Sequence, residues 1–342
     1  MISASLSHKH DRVPVRPLRH LLHALLFASL AGSAAGALAQ QAPAGYPNKP
    51  VRVVLTSAPG GGLNVVTRLV LDKMSQRSNI TFVADSQAGA AGVIAMRIVN
   101  DAPPDGYTLL SSSNTFIING AMKAVPFDIR TAYVPVVRMT TQPYMTYVNV
   151  SVPANNFREL IAYAKANPNK LNLGSTGTGT VPHLGLEMIN AAAGVQITHV
   201  PYKGIATANL DLVGDRIQIL FGSVSGNQLV KTGKVKLIAV MSLKRMPMFP
   251  DVPTVAESGF PDFELTNTYT VVAPGKTPPA IVAYLNKELA QTVNLPEMKE
   301  KFAADFSDAS PPYGPEELKK MYIAEFDKWE KVVKAANIKP EQ

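Results

Sequence analysis

The feature that restricts the fold most is a repeated order of segments: a β-rich run, a turn of small residues, then a helix-spaced stretch. Val51 to Ala58, VRVVLTSA, stops at Pro59 and three glycines, Gly60 to Gly62, and apolar positions then recur at helical spacing through VVTRLVLDKMSQ. ITFVAD, the turn AGAAG and the helix-like VIAMRIVNDA repeat that order, and GYTLLSSS follows as a further strand. Such alternation requires parallel or mixed sheets flanked by helices, because a parallel return needs a crossover that a helix supplies.

A second series starts at YMTYVNVSV and continues through NNFRELIAYAKAN, LNLGSTGTGTVPHLGLEMINAAAG, ITHVPYKG, IATANLDLVGD, IQILFGS and KLIAVMS. Asn155 or Asn156 is placed to cap the helix that Pro168 follows. Two series imply two α/β lobes. After the strand TYTVVAP, TPPAIVAYLNKELAQTV reads as a helix with Thr277 as cap and Pro278 in the first helical position. A last helix from about Pro315 to Ala336 carries Glu316 to Lys320 and Glu330 to Lys334 at i,i+4 spacing. These helices need a sheet to pack on, so the chain is expected to return to its first lobe. The expected division is 46–145 with 266–342 as lobe 1 and 146–265 as lobe 2, with TTQP before Tyr144 as a crossing.

The first 39 residues stand apart from this pattern. Arg12, Arg16 and Arg19 precede LLHALLFASLAGSAAG and the small-residue site Ala37 to Ala39, the order of a secretory signal peptide. A retained anchor over Leu21 to Ala39 is the competing reading. The chain holds no cysteine, which excludes disulfides, thiolate metal sites and a lipid-modified cysteine. With 342 residues, 46% hydrophobic, it can bury a large core. Its net charge is +8, of which Lys9, Arg12, Arg16 and Arg19 against Asp11 account for +3. The remaining cations are scattered without an aromatic-rich basic motif, so no nucleic-acid partner is expected.

The turns carry the chemistry. Glycines between a strand and a helix expose N–H groups at the positive end of the helix dipole, which suits a phosphate or a carboxylate. APGGGLNVV lacks the Lys-Ser/Thr of a P-loop and does not fit G-x-G-x-x-G, which removes most support for a nucleotide, and no cofactor is expected. The structural alternative is a tight turn and nothing more. The turns SQAGAAG (Ser86 to Gly92) and GSTGTGT (Gly174 to Thr180) sit at the same kind of location, where ligands bind in doubly wound sheets. Ser175, Thr176, Thr178 and Thr180 add neutral donors, with helix capping as their structural alternative. No H-E-x-x-H or G-x-S-x-G occurs, and no pair of ligands has metal spacing. A hydrolase using Ser175 or Ser223 with His183 stays open as a rival.

Several long motifs bear a likeness. YPNKPVRVVL…APGGG, DGYTLL, RELIAYAKANPNKLNLGSTGTGTVPHL, HVPYKG, DVPTVAESGFPDFE and VVAPGKTPPAIVAYLNKEL resemble the solute-binding proteins of tripartite tricarboxylate transporters, the Bug receptors. The resemblance covers nearly all of the chain after the signal peptide. It implies an α/β, two-lobed, type II-like periplasmic binding protein, working as a monomer, that closes on a small organic carboxylate and delivers it to membrane permease subunits. A receptor serving a sensor kinase is the related alternative. The family's first loop usually continues Gly-Gly-Gly-Thr/Ala-Asp, and here Leu63 and Asn64 stand in the last two places. Its second turn usually contains Arg/Lys-Pro, replaced here by Gln87-Ala88; its usual His is Phe116, and its Trp before the C-terminal crossing strand is Thr268. Against the family pattern, Phe116 and Leu63 suggest a more apolar ligand body, such as an aromatic or branched carboxylate. The resulting expected site takes Ser57, Pro59, Gly60, Gly61, Gly62, Asn64 and Gly89 from the first two turns. Ser113 and Asn114 join from the third strand end, and Ser175, Thr176, Thr178, Thr180, His183 and Ser223 from the second lobe, with no metal.

Overall fold

The computed structural model describes residues 43–339 apart from 79, 203, 224, 225, 305 and 306. The signal-peptide reading falls outside them. Of the first series, β1 (Val51–Leu55), β2 (Phe82–Ser86) and β3 (Thr108–Ser113) run parallel, with β1 in the middle. β1 is buried at all positions but Arg52, as a strand covered on both faces must be. β10 (Thr266–Pro274) joins β3 antiparallel, β4 (Tyr133–Pro143) pairs with β10, and the short β11 (Asp308–Ala309) closes the edge.

The second sheet repeats the plan. β6 (Asn172–Ser175) lies between parallel β7 (Thr198–Pro201) and β8 (Ile219–Gly222), antiparallel β5 (Met145–Asn149) follows, and β9 (Val235–Val240) forms the far edge. Crossovers in the first sheet are α1 (Gly62–Ser78) and α2 (Val93–Asn100), with α3 (Thr115–Ala121) and α4 (Ile129–Ala132) after β3. The second sheet carries α5 (Phe157–Ala166), α6 (Val181–Ala193), α7 (Ile205–Val213) and the short α8 (Asn227–Val230). The last three helices are α9 (Pro279–Val293), α10 (Pro296–Ala304) and α11 (Pro315–Ala335). α9 packs on β4 and α1, whereas α11 covers α3 and β4 and also reaches α6.

Local chemistry explains the boundaries. Asn156, not Asn155, caps α5: its Oδ1 accepts from Glu159 N at 2.9 Å, while Glu159 Oε2 accepts from the N–H of the preceding Asn155 at 2.7 Å, a variant of the capping box. At α9 the expected start shifts by one residue. Pro279 takes the first helical position, and the ring of Pro279 pushes Pro278 out to an extended ψ of 134°, so Thr277 does not cap. β4 has no counterpart in the sequence reading because Pro135 and Pro143 demote the stretch, yet an antiparallel strand with bulges accommodates both.

The two sheets are joined where β4 becomes β5 with only Tyr144 between them. Tyr144 N donates to Leu265 O, Leu265 N to Met241 O, and Met241 N to Tyr144 O, so three chain segments are tied at one level. One apolar cluster runs from the first sheet (Val54, Leu110) into the second (Val148, Leu173, Ile219) and under α11 through Tyr322, Phe326 and Trp329.

Candidate ligand-binding site

Parallel pairing fixes where the first three turns lie. Leu55 stands opposite both Ser86 and Ser111, so the segments after β1, β2 and β3 leave the same end of the sheet. Residues 58–62 and 88–91 are exposed there. Gly60 has φ +84, a left-handed conformation that a side chain disfavours. Gly61 is less demanding than its place in the motif suggests, since a Cβ there would meet nothing closer than 3.4 Å. Ser57 Oγ is buried without a hydrogen-bond partner among the described residues.

The second turn is wound left-handed. Ala90 and Ala91 have φ of 45° and 51°, Gly92 has 93°, and Gly92 N closes the turn on Gly89 O at 2.8 Å. Non-glycine residues in that region cost about 1–2 kcal/mol each, so the surroundings must impose it. Asn119 does so in part, donating to Ala91 O at 2.8 Å. Gly92 also lies against Thr56, where a Cβ would come within 2.9 Å. The Arg52 guanidinium, with Gln87, holds the Asp85 carboxyl below the usual carboxylate range, so the acid next to this turn carries a matched charge.

Several expected ligand contacts point elsewhere. Asn64 is 3% exposed; its amide donates to Ser86 Oγ at 2.7 Å and its Oδ1 accepts from Arg68 Nε at 3.0 Å. It clips α1 to the end of β2 and does not face the turn's open side. Asn64→Ala is expected to cost roughly 1–3 kcal/mol in denaturant unfolding, because Ser86 loses its partner, while Asn64→Asp keeps an acceptor for both neighbours. Asn114 is likewise buried, donating to Thr266 O at 2.9 Å and Glu325 Oε1 at 3.2 Å. Phe116 and Leu63 do not shape an apolar ligand pocket: both are buried, Phe116 stacked on Tyr322 at 5.7 Å, because the apolar face of α3 turns into the core. Ser113, half-buried, pairs with Tyr269 across β3 and β10, and the Tyr269 hydroxyl lies beside Gly62.

In the second sheet Ser175, opposite Pro201, brings residues 175–180 and Tyr202 to one end. Thr176 is exposed, and it and Thr178 make no side-chain hydrogen bond among the described residues. Thr180 closes the turn instead, its hydroxyl donating to Gly177 O at 2.7 Å. Ser223 follows β8 and accepts from the Tyr147 hydroxyl through its carbonyl at 2.9 Å. The imidazole on Ser175 is His199, 2.6 Å from Oγ, whereas His183 accepts from Gly179 N at 3.1 Å. The Ser175–His183 pairing considered from sequence is therefore not formed, and His199 is a residue that sequence reasoning passed over. A Cβ on Gly179 would meet the end of the Met122 side chain, which follows α3, so this turn lies against the end of that helix.

Among the described residues no three His, Cys, Asp or Glu side chains group as metal ligands, and no helix is long and apolar enough to cross a membrane. A separate cavity of about 460 Å³ lies beside the crossing, lined by Pro143, Lys244, Arg245, Met246, Glu264 and Asp308. Arg245 is tied there to Glu257, its Nε 2.9 Å from Oε2.

Residues 66–338 match the sequence profile of the tripartite tricarboxylate transporter family receptor. The fold is similar to that of R. palustris Rpa4515 with adipate, 30% identical, covering 86% of this chain and all of that one with a TM-score of 0.76. The periplasmic binding protein BugD is 31% identical over 86% of this chain and all of its own, with a TM-score of 0.73. MatC (Rpa3494) from Rhodopseudomonas palustris with bound malate is 26% identical over 84% of this chain and all of its own, also at 0.73. Two α/β sheets with small-residue turns at matching strand ends thus occur here on a sequence of which the profile spans about four fifths, from the first helix onward, and the chain belongs to the tripartite tricarboxylate transporter receptors, the Bug-type solute-binding proteins.

Proposed function

We propose that this protein captures a small organic carboxylate between two lobes, 46–145 with 266–342 and 146–265, and hands it to transporter permease subunits. The observation that carries the reading is the placement of glycine- and hydroxyl-rich turns at the carboxyl ends of the parallel strands in both sheets. The exposed backbone at Gly60 and Gly62, the buried Ser57 hydroxyl and the hydroxyls of Thr176 and Thr178 supply neutral donors for an anion, while Gly61 N donates to Ala58 O at 3.3 Å within the turn. Three or four charge-assisted hydrogen bonds, at about 1.5–3 kcal/mol each, reach the roughly 8 kcal/mol of a micromolar site after ordering costs. Contacts to both lobes favour the form in which the lobes meet, the differential affinity that closure requires. The receptor acts as a monomer in the periplasm after its leader is removed. Adipate and malate, seen with two similar proteins, point to dicarboxylates as the first class to try.

In a thermal-shift series, a bound diacid at about 100 times its Kd adds roughly 2.7 kcal/mol of stability, a rise near 5 °C for a chain of this size. A shift produced only by uncharged compounds contradicts the reading. The 2.6 Å contact between Ser175 and His199 favours a hydrolase as second reading. Against it, Ser175 is 1% exposed and its Oγ accepts from Gly177 N at 3.1 Å, so the hydroxyl serves the turn. Ester turnover that disappears in His199→Ala would reinstate it.

A further inference from the structure

We propose that the turn from Gly174 to Thr180 is latched by a neutral pair of stacked histidines, so that carboxylate affinity falls as the pair takes up a proton. The inference rests on the reading of this turn as part of the ligand site. His183 accepts the Gly179 N–H at Nδ1 over 3.1 Å, a bond that exists only while Nδ1 carries no proton. Its ring lies flat on His199, with centroids 3.8 Å apart and planes 9° from parallel. His199 in turn reaches Ser175 Oγ at 2.6 Å, the same oxygen that accepts Gly177 N–H. The two rings therefore hold the turn at both ends.

Charging this pair opposes the latch in two ways. A proton on His183 Nδ1 would confront an N–H donor, and the charge would sit face-on to a second imidazole in a position only 8% exposed. The titratable groups against His183 include His199 from β7 and Glu187, one turn further along α6 with Oε1 at 3.8 Å from Nε2. Lys331 of α11 shares the groove beside Glu187, and Met122, which meets Gly179, is uncharged. Burial raises the Glu187 carboxyl, so its own protonation in acid removes a counter-charge and holds protonation of the ring to the lower end of the pH range. With the latch formed, His183 binds fewer protons; by linkage, binding that needs the latch weakens on acidification. His183 is on this account a positioning residue that acts through the Gly179 amide.

The test is calorimetric binding of adipate at about pH 8 and about pH 5.5, a window in which imidazole titrates; because the second carboxyl of adipate also takes up protons at the acid end, affinities are expressed per dianion. Affinity is expected to fall by about threefold to tenfold across it. In His183→Asn, whose Oδ1 can take the Gly179 N–H but cannot titrate, the ratio of the two affinities approaches one. In the ligand-free protein the Gly179 amide resonance should shift with the same midpoint as the His183 ring. An amide that stays put while His183 titrates, or a His183→Asn profile as steep as that of the unaltered protein, overturns the latch. Failure of every carboxylate to bind overturns the reading of the site instead, and the amide titration then still decides for or against the latch.

Discussion

Gly92→Val is expected to weaken carboxylate binding by at least about tenfold while the protein still folds, as read by calorimetry beside circular dichroism. Gly92 adopts φ +93, and a Cβ would come within 2.9 Å of Thr56 Cβ and 3.0 Å of its Cγ2. Thr56 has little freedom to yield, because its N donates to Ser111 O at 3.1 Å and its hydroxyl lies 3.1 Å from Ser112 Oγ. A β-branched residue is doubly unsuited, since it resists the left-handed region and adds volume at the contact. Relief comes by parting the turn after β2 from the turn after β1. That movement displaces one or two of the donors proposed for the anion, each contributing about 1.5–3 kcal/mol. Gly61→Ala is the informative companion: it meets only ordinary contacts, so a loss of similar size there would assign the effect to general disturbance.

Trp329→Ala should have the largest effect on stability, about 3–5 kcal/mol, lowering the melting temperature by roughly 5–9 °C. Trp329 is 2% exposed in the cluster that links the two sheets beneath α11. Its indole N–H donates to Glu325 Oε1 at 3.4 Å, and that oxygen also accepts the Asn114 amide. Truncation leaves a cavity the helix cannot collapse into, because Tyr322 on the same helix is anchored to Ile129 O at 2.7 Å. It also loosens the strap that α11 applies to the end of β3. Chemical denaturation measures the loss, and a change below about 1 kcal/mol would show that α11 is not integral to the joined core.

How much of this was legible in the sequence follows from range. The βα order placed the glycine turns correctly because a parallel sheet leaves them only one end, so local pattern sufficed. β4 was missed because its prolines carry a local signal against a strand, and only pairing with β10 overrides it. Asn64 carried a readable cue in Arg68 at i+4, the spacing at which helix neighbours bond, yet its second partner, Ser86, becomes adjacent only through the β1–β2 pairing. His199 gave no such cue. It meets Ser175 because β7 lies beside β6, a neighbourhood set by the whole sheet. Phe116 misled for a different reason: its family position suggested a pocket, whereas the run TFIINGA is apolar enough to bury that helix.

The most direct measurement is a crystal structure of the protein with a bound diacid such as adipate. Carboxylate oxygens are expected within about 2.7–3.2 Å of backbone N–H groups at Gly60 and Gly62 and of the Thr176 or Thr178 hydroxyl, with donors from both sheets on one ligand. A diacid held instead in the cavity beside Lys244 and Arg245, or touching the turns of one sheet alone, would contradict the proposal that the two sets of turns form a single carboxylate site.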